Sequence, residues 1–125
     1  MGVIQGRDAP VFTVPHVTAT GLAAPSRGAS ETCAWRFTFE PGAPADGTHM
    51  VDREEVFVVL SGGVTARLEG AEHRLVTGDA LIVPPHTPFA LGNPHDEPAE
   101  LVAVLPVGGQ AIMQGMEPFV PPWAR

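Results

Sequence analysis

Residues 54–62 read EEVFVVLSG and residues 78–89 read GDALIVPPHTPF. Each is a short apolar run closed by turn chemistry, Ser61-Gly62-Gly63 in the first and Pro84-Pro85 in the second. Runs of this length, rich in valine and isoleucine and bounded by glycine and proline, are strand signals. VFVVL is apolar at both odd and even positions, which predicts a strand buried on both faces. Working outward, further strand-like runs lie at Val11–Val17, Thr32–Phe39, Val64–Glu69, Glu72–Val76, Ala80–Val83, Phe89–Leu91 and Leu101–Val107. Ser61-Gly62-Gly63 and Glu69-Gly70-Ala71 are predicted to be hairpin turns, and Asn93–Pro98 a polar loop. Ala19–Ser30, rich in small residues and proline, is predicted to be a loop. Fourteen glycines and fourteen prolines leave few windows long enough for a helical period, so the chain is predicted to be an all-β barrel or sandwich.

The run TCAWRFTF alternates. Cys33, Trp35, Phe37 and Phe39 share one face, and Thr32, Ala34, Arg36 and Thr38 the other. One face is core, and the other meets solvent, a partner or a cavity. The tail EPFVPPWAR carries three prolines and two large aromatics. It does not suit a central strand, yet Phe119 and Trp123 are costly to leave in water. An extended arm packed on this barrel or a neighbour's is expected.

Length and composition bound the function. A chain of 125 residues suits one domain spanning residues 1–125. With 44% hydrophobic and 17% charged residues it is predicted to be globular rather than disordered. The formal charge is −7, and the seven basic side chains are scattered arginines (no lysine occurs), so there is no basic stripe for nucleic acid or for an anionic membrane. Cys33, the sole cysteine, has no intrachain partner and is read as a small buried residue. No basic leader followed by an apolar run and no stretch of about 18 apolar residues is present. A cytoplasmic protein is expected.

From Pro41 onward the sequence resembles the cupin superfamily, whose first motif is G-x5-H-x-H-x3,4-E-x6-G and whose second is G-x5-P-x-G-x2-H-x3-N. Glu55 is followed by six residues and Gly62; counting back, Val51 stands at the second histidine and His49 at the first, with Gly42 one residue too far away. In the second motif Gly78, Pro84 and Asn93 match, His86 stands at the usual glycine and Phe89 at the usual histidine. The motifs occupy about residues 42–62 and 78–93, and residues 108–125 form the tail. The resemblance, closest to small single-domain bacterial members, implies one jelly-roll-like β-barrel with an extended C-terminal arm, and a homodimer. The apolar strands and aromatic tail add physical support for the dimer.

In metal-binding members, positions 49, 51, 55 and 89 carry three histidines and a glutamate pointing into the barrel. Here only His49 and Glu55 remain. Two protein ligands leave most positions of a divalent ion to water and bind it weakly. No tightly bound cofactor is therefore expected. The alternative is a divalent ion (Fe, Mn, Ni or Zn) on His49, Glu55 and His86, the last swinging in from the turn before Phe89; His16 is a more remote candidate. His73 and His95 are read as solvated, as is the turn Asp52–Glu54. Val51, Phe57, Phe89 and Leu91 are expected to line an apolar cavity with His49 and Glu55 as its polar pair. Arg36 either holds a carboxylate or enolate oxygen there or forms a surface salt bridge with Glu31, Glu40 or a partner.

Three functions remain open. One is a metal-independent protein that binds a small, mostly apolar or aromatic molecule in the barrel and catalyses an isomerase, cyclase or lyase step, with His49 and Glu55 as acid and base. The second is a metal-dependent isomerase or dioxygenase-like enzyme. The third is a non-catalytic ligand-binding or regulatory module. Fold alone does not choose among them.

Overall fold

The computed structural model describes residues 2–125. Eleven strands follow one another: β1 (Val11–Val14), β2 (Val17–Ala23), β3 (Thr32–Phe39), β4 (Met50–Val51), β5 (Glu55–Ser61), β6 (Gly63–Leu68), β7 (Ala71–Val76), β8 (Ala80–Val83), β9 (Phe89–Gly92), β10 (Ala99–Pro106) and β11 (Ala111–Ile112). They form an antiparallel six-stranded sheet in the order β1-β2-β3-β10-β5-β8, a three-stranded sheet β7-β6-β9, and a short pair β11-β4. The inner faces of the two larger sheets share one hydrophobic core, a β-sandwich of jelly-roll type.

The alternation of β3 decides which face is core. Cys33, Trp35 and Phe39 are buried and Phe37 is half-buried against them, while Arg36 and Thr38 point the other way. β10 lies between β3 and β5 with alternate residues Ala99, Leu101, Ala103 and Leu105 fully buried. Its two alanines stand opposite Phe39 and Trp35, so small residues face large ones across the pair.

Four expectations need correction. β5 is not buried on both faces: Glu55, Phe57 and Val59 point inward, Val56 and Val58 are half-covered, and Leu60 is 45% exposed. Its outer positions Val56 and Val58 lie beside Val104, Ile82 and Val102 of the neighbouring strands. The predicted single run Val11–Val17 is two strands, joined by a two-residue turn at Pro15-His16 with His16 at φ 67°. The predicted loop Ala19–Ser30 begins as β2, whose Ala19, Thr20 and Gly21 are buried between β1 and β3. The Arg27 side chain lies over this strand at Gly21, where an added Cβ would fall 2.7 Å from its Nη2 and push the guanidinium aside. Finally, Ser61-Gly62-Gly63 is no hairpin. β5 pairs with β10 and β8, β6 with β7 and β9, so the turn carries the chain from one sheet to the other. Glu69-Gly70 is a true two-residue hairpin turn, with φ of 50° and 81°, the conformation that glycine-containing hairpin turns favour.

Two polar side chains organise loops. Asn93 is fully buried; its amide donates to the Glu97 carbonyl at 2.7 Å, and its carbonyl accepts from the His95 backbone N–H at 3.0 Å. It thereby shapes the Asn93–Pro98 loop. Asp52, expected to be merely solvated, accepts from the Gln110 backbone N–H at 2.7 Å and ties β4 to the start of the C-terminal arm. The arm packs on its own barrel. Phe119 pairs with Ala111, and a 3-10 turn at Pro122–Ala124 seats Trp123 edge-on against Phe37 at 5.5 Å.

Gly62 and Gly78 both adopt left-handed φ, 69° and 92°. They differ in surroundings: a Cβ on Gly62 would lie 2.6 Å from the Pro98 carbonyl oxygen, whereas one on Gly78 meets nothing within 4 Å. Gly78→Ala should therefore cost only the conformational penalty, about 1 kcal/mol. Gly62→Ala should cost at least about 2 kcal/mol, because backbone must also move. Urea unfolding of both variants beside the wild type measures the difference.

Candidate functional site

One end of the barrel holds a cavity of about 450 Å³. Several strands contribute through their inward positions: Trp35, Phe37 and Phe39 from β3, Val51 from β4, Glu55 and Phe57 from β5, and Phe89 and Leu91 from β9. The C-terminal arm supplies Phe119, Pro121, Pro122 and Trp123, and the stretch before β4 supplies Asp46, Gly47 and His49. The aromatic rings interlock. Phe37 stacks on Phe57 at 6.5 Å, Phe57 meets Phe89 at 5.8 Å, and Trp123 meets Trp35 at 6.2 Å. The indole N–H groups of Trp35 and Trp123 are buried without a hydrogen-bond partner, which marks how few acceptors this wall contains.

His49 is fixed at three points. Its backbone exchanges two hydrogen bonds with Phe89, at 3.1 and 3.0 Å, which joins the β4 approach to β9. Its ring lies against the Phe89 ring, with centroids 4.5 Å apart. Its Nδ1 stands 3.0 Å from the Gly47 carbonyl oxygen. A carbonyl only accepts, so in the neutral ring Nδ1 carries the proton and Nε2 keeps a free lone pair. Burial lowers the His49 pKa, and the Gly47 carbonyl offsets this only in part.

Glu55 opens β5 with its side chain turned inward and is only 5% exposed. None of the protein hydrogen bonds among the described residues reaches its carboxyl. Burial raises its pKa from 4.5 to about 8, and no neighbouring charge enters as a cause. Near neutral pH the cavity thus presents a protonated carboxylic acid and a neutral imidazole with a free nitrogen.

Val51, Phe57, Phe89 and Leu91 stand in this cavity together with His49 and Glu55. Arg36 and His86 do not. Arg36 sits on the outer face of β3, because its neighbours Trp35 and Phe37 take the inner one, and its Nε is buried without a hydrogen-bond partner. His86 occupies a left-handed turn (φ 58°) between β8 and β9; its backbone N–H donates to Val51 O at 2.7 Å while its side chain is exposed. His16 borders the cavity, with Nδ1 3.5 Å from a Glu40 carboxylate oxygen. His73 and His95 are exposed. The aromatic arm and Asp46 are cavity walls that strand patterning did not assign. The cost of exposing Phe119 and Trp123 was the available signal, and it pointed to packing without saying where.

The residues present do not fit a metal centre. Val51 and Phe89 place hydrocarbon where two imidazoles would be required, His86 faces away, and among the described residues no three His, Cys, Asp or Glu side chains gather around a common point.

The cupin domain family model matches residues 35–105, more than half of the chain. This chain is a cupin. Solved structures share the fold over nearly its whole length. The polyketide cyclase RemF from Streptomyces resistomycificus superposes with a TM-score of 0.81 at 18% identity, covering 94% of this cupin and 87% of that chain. An RmlC-like cupin from Shewanella frigidimarina gives 0.71 at 18% identity, covering 85% and 90%. A sugar phosphate isomerase of the cupin superfamily from Silicibacter pomeroyi gives 0.69 at 20% identity, covering 92% and 83%. None of the curated proteins matches the chain. No helix is long and apolar enough to cross a membrane among the described residues.

The raised Glu55 pKa has a stability signature. In the unfolded chain the group ionises near 4.5, in the folded cupin near 8. Between these values the native state holds a proton that the unfolded state releases, so stability falls as pH rises from about 4.5 to about 8 and is flat above. The total loss is on the order of a few kcal/mol. Glu55→Gln, which mimics the protonated acid, should match the wild type near pH 4.5 and exceed it increasingly up to pH 8–9. Denaturant titrations of both proteins across this range provide the check.

Proposed function

We propose that this cupin binds a small, mostly apolar or aromatic molecule inside the barrel and moves protons on it without a metal, in an isomerase, cyclase or lyase step. The observation that carries this is that His49 and Glu55, each held neutral by burial, line the same mostly apolar, aromatic cavity, which His16 and Asp46 also border. The free His49 Nε2 is suited to take a proton from carbon. The Glu55 O–H is suited to deliver one to the oxygen that gains charge. Apolar walls exclude water and strengthen both interactions. The likeness in fold to a polyketide cyclase and a sugar phosphate isomerase is compatible with such chemistry, and at 18–20% identity it lends no more than that.

Two measurements on one pair of proteins test this. Wild type purified without chelator should carry far less than one equivalent of iron, manganese, nickel or zinc, at the same low level as His49→Ala. Near-stoichiometric metal lost in His49→Ala overturns the proposal in favour of a metal enzyme. In D2O, the wild type should speed exchange of the α-protons of 2-tetralone, an aromatic cyclic ketone, at least about 10-fold over His49→Ala, a modest share of what a positioned base supplies. Equal rates would leave a binding module without turnover.

We further infer a homodimer formed by the outer face of the six-stranded sheet. Val102 stands between Arg36 and Val58, Val104 between Ala34 and Val56, and Val56 beside Ile82, which is 58% exposed. These valines and Ile82 form an apolar patch with Arg36 at its border. Paired about a two-fold axis it would bury itself. Light scattering should give twice the 13.1 kDa chain mass for the wild type and a monomer for Val58→Glu; a monomeric wild type refutes the inference.

A further inference from the structure

We propose that the cavity selects uncharged aromatic carbonyl compounds and turns away their carboxylate analogues. This rests on the proposed apolar ligand site and adds its charge and functional group.

The first support is the distribution of charge. The chain has no lysine, and none of its seven arginines borders the cavity among the described residues. The remaining side chains able to carry positive charge there are His16 and His49. His16 lies at the mouth beside the Glu40 carboxylate, and His49 spends its Nδ1 proton on Gly47 O. Asp46 adds an acidic group to the lining, and the whole molecule carries a net charge of −7. An anion entering this space would exchange water for aromatic rings with no cation to meet it, a transfer that costs several kcal/mol for a single carboxylate. Long-range attraction would not compensate, since the field of the protein repels anions.

The second support is hydrogen-bond polarity. The Glu55 carboxyl is buried in the wall with no protein partner, and while protonated it offers an O–H. A ketone or amide oxygen is the complementary acceptor, whereas an alkane or unsubstituted arene would leave the group unpaired. The stacked Phe37 and Phe57 rings and the tilted Phe89 ring favour a flat partner. A volume of about 450 Å³ has room for a compound of two or three fused rings.

The test uses three probes of nearly the same size: 2-acetylnaphthalene and 2-naphthamide, both neutral carbonyl compounds, and 2-naphthoate, an anion at neutral pH. The chain has only two tryptophans, and both line the cavity, so quenching of their fluorescence reports binding directly. Wild type should bind the two neutral probes at least about 30-fold more tightly than naphthoate, a conservative share of the desolvation cost. Leu91→Arg, which places a cation in the wall, should narrow or reverse that preference. Comparable affinity for all three in the wild type overturns the selection by charge and leaves the apolar site standing. Binding of none of the three sinks the ligand site itself, and this proposal with it. The wild-type comparison decides the matter even if Leu91→Arg does not fold.

Discussion

The register of β10 between β3 and β5 sets the interior. Along β10, Ala99 faces Phe39, Leu101 faces Phe37 and Val59, Ala103 faces Trp35 and Phe57, and Leu105 faces Cys33. Alternating alanine and leucine leave space where the large rings of the neighbouring strands project, and the cavity opens among those rings. A slip of β3 by one residue against β10 would turn Trp35 and Phe37 outward and bring Arg36 in. The same alternation that builds the aromatic wall therefore keeps guanidinium out of the cavity. Shape and charge of the site share one cause.

Within that frame the two hydrophobic substitutions act together. Val51 and Phe89 remove metal donors, and they also remove the polar surroundings that would hold His49 and Glu55 charged. A carboxylate beside a divalent ion ionises readily. The same carboxyl among Phe57, Phe89 and Val51 keeps its proton to about pH 8. Phe89 does more than fill space: its backbone pairs with His49 and its ring lies against the imidazole. Phe89, at a position where metal-binding members carry a histidine, thus orients His49, and His49 and Glu55 are both left in neutral form. Burying Glu55 lowers stability as pH rises above about 4.5, because the unfolded chain then releases a proton that the folded one holds.

How much the sequence revealed depended on whether a signal was local. The alternation of Thr32–Phe39 and the spacing of Glu55, Gly62, Gly78 and Asn93 are local, and from them the fold and the inward places of Val51 and Phe89 could be read. Ser61-Gly62-Gly63 has the composition of a hairpin turn, but a left-handed glycine serves a sheet crossing equally well; only pairing partners tell the two apart. Arg36 was ambiguous because a period of two gives faces without saying which one borders a cavity. His86 was three residues from Phe89, yet its left-handed backbone directs the side chain to solvent. The Ala19–Ser30 stretch looked like a loop because its small residues carry no apolar alternation to mark a strand, and nothing local shows that the Arg27 side chain folds back over Gly21.

That arginine links the far ends of the chain to the site. Arg27 Nε donates to the Leu22 carbonyl at 2.8 Å, and its Nη2 donates to the Trp123 carbonyl at 3.1 Å. Ser26 Oγ donates to the Arg125 carbonyl at 2.6 Å, and the Ser26 backbone N–H meets the same oxygen. The last residues are therefore clamped to the turn after β2, and Trp123 is held against Phe12, Trp35 and Phe37. Prolines 118, 121 and 122 restrict the arm before it arrives, so little conformational freedom is lost on docking. Gly21 admits the guanidinium, the guanidinium holds the arm, and the arm completes the aromatic wall. An arm outside the two main sheets thus helps to set the size of the cavity.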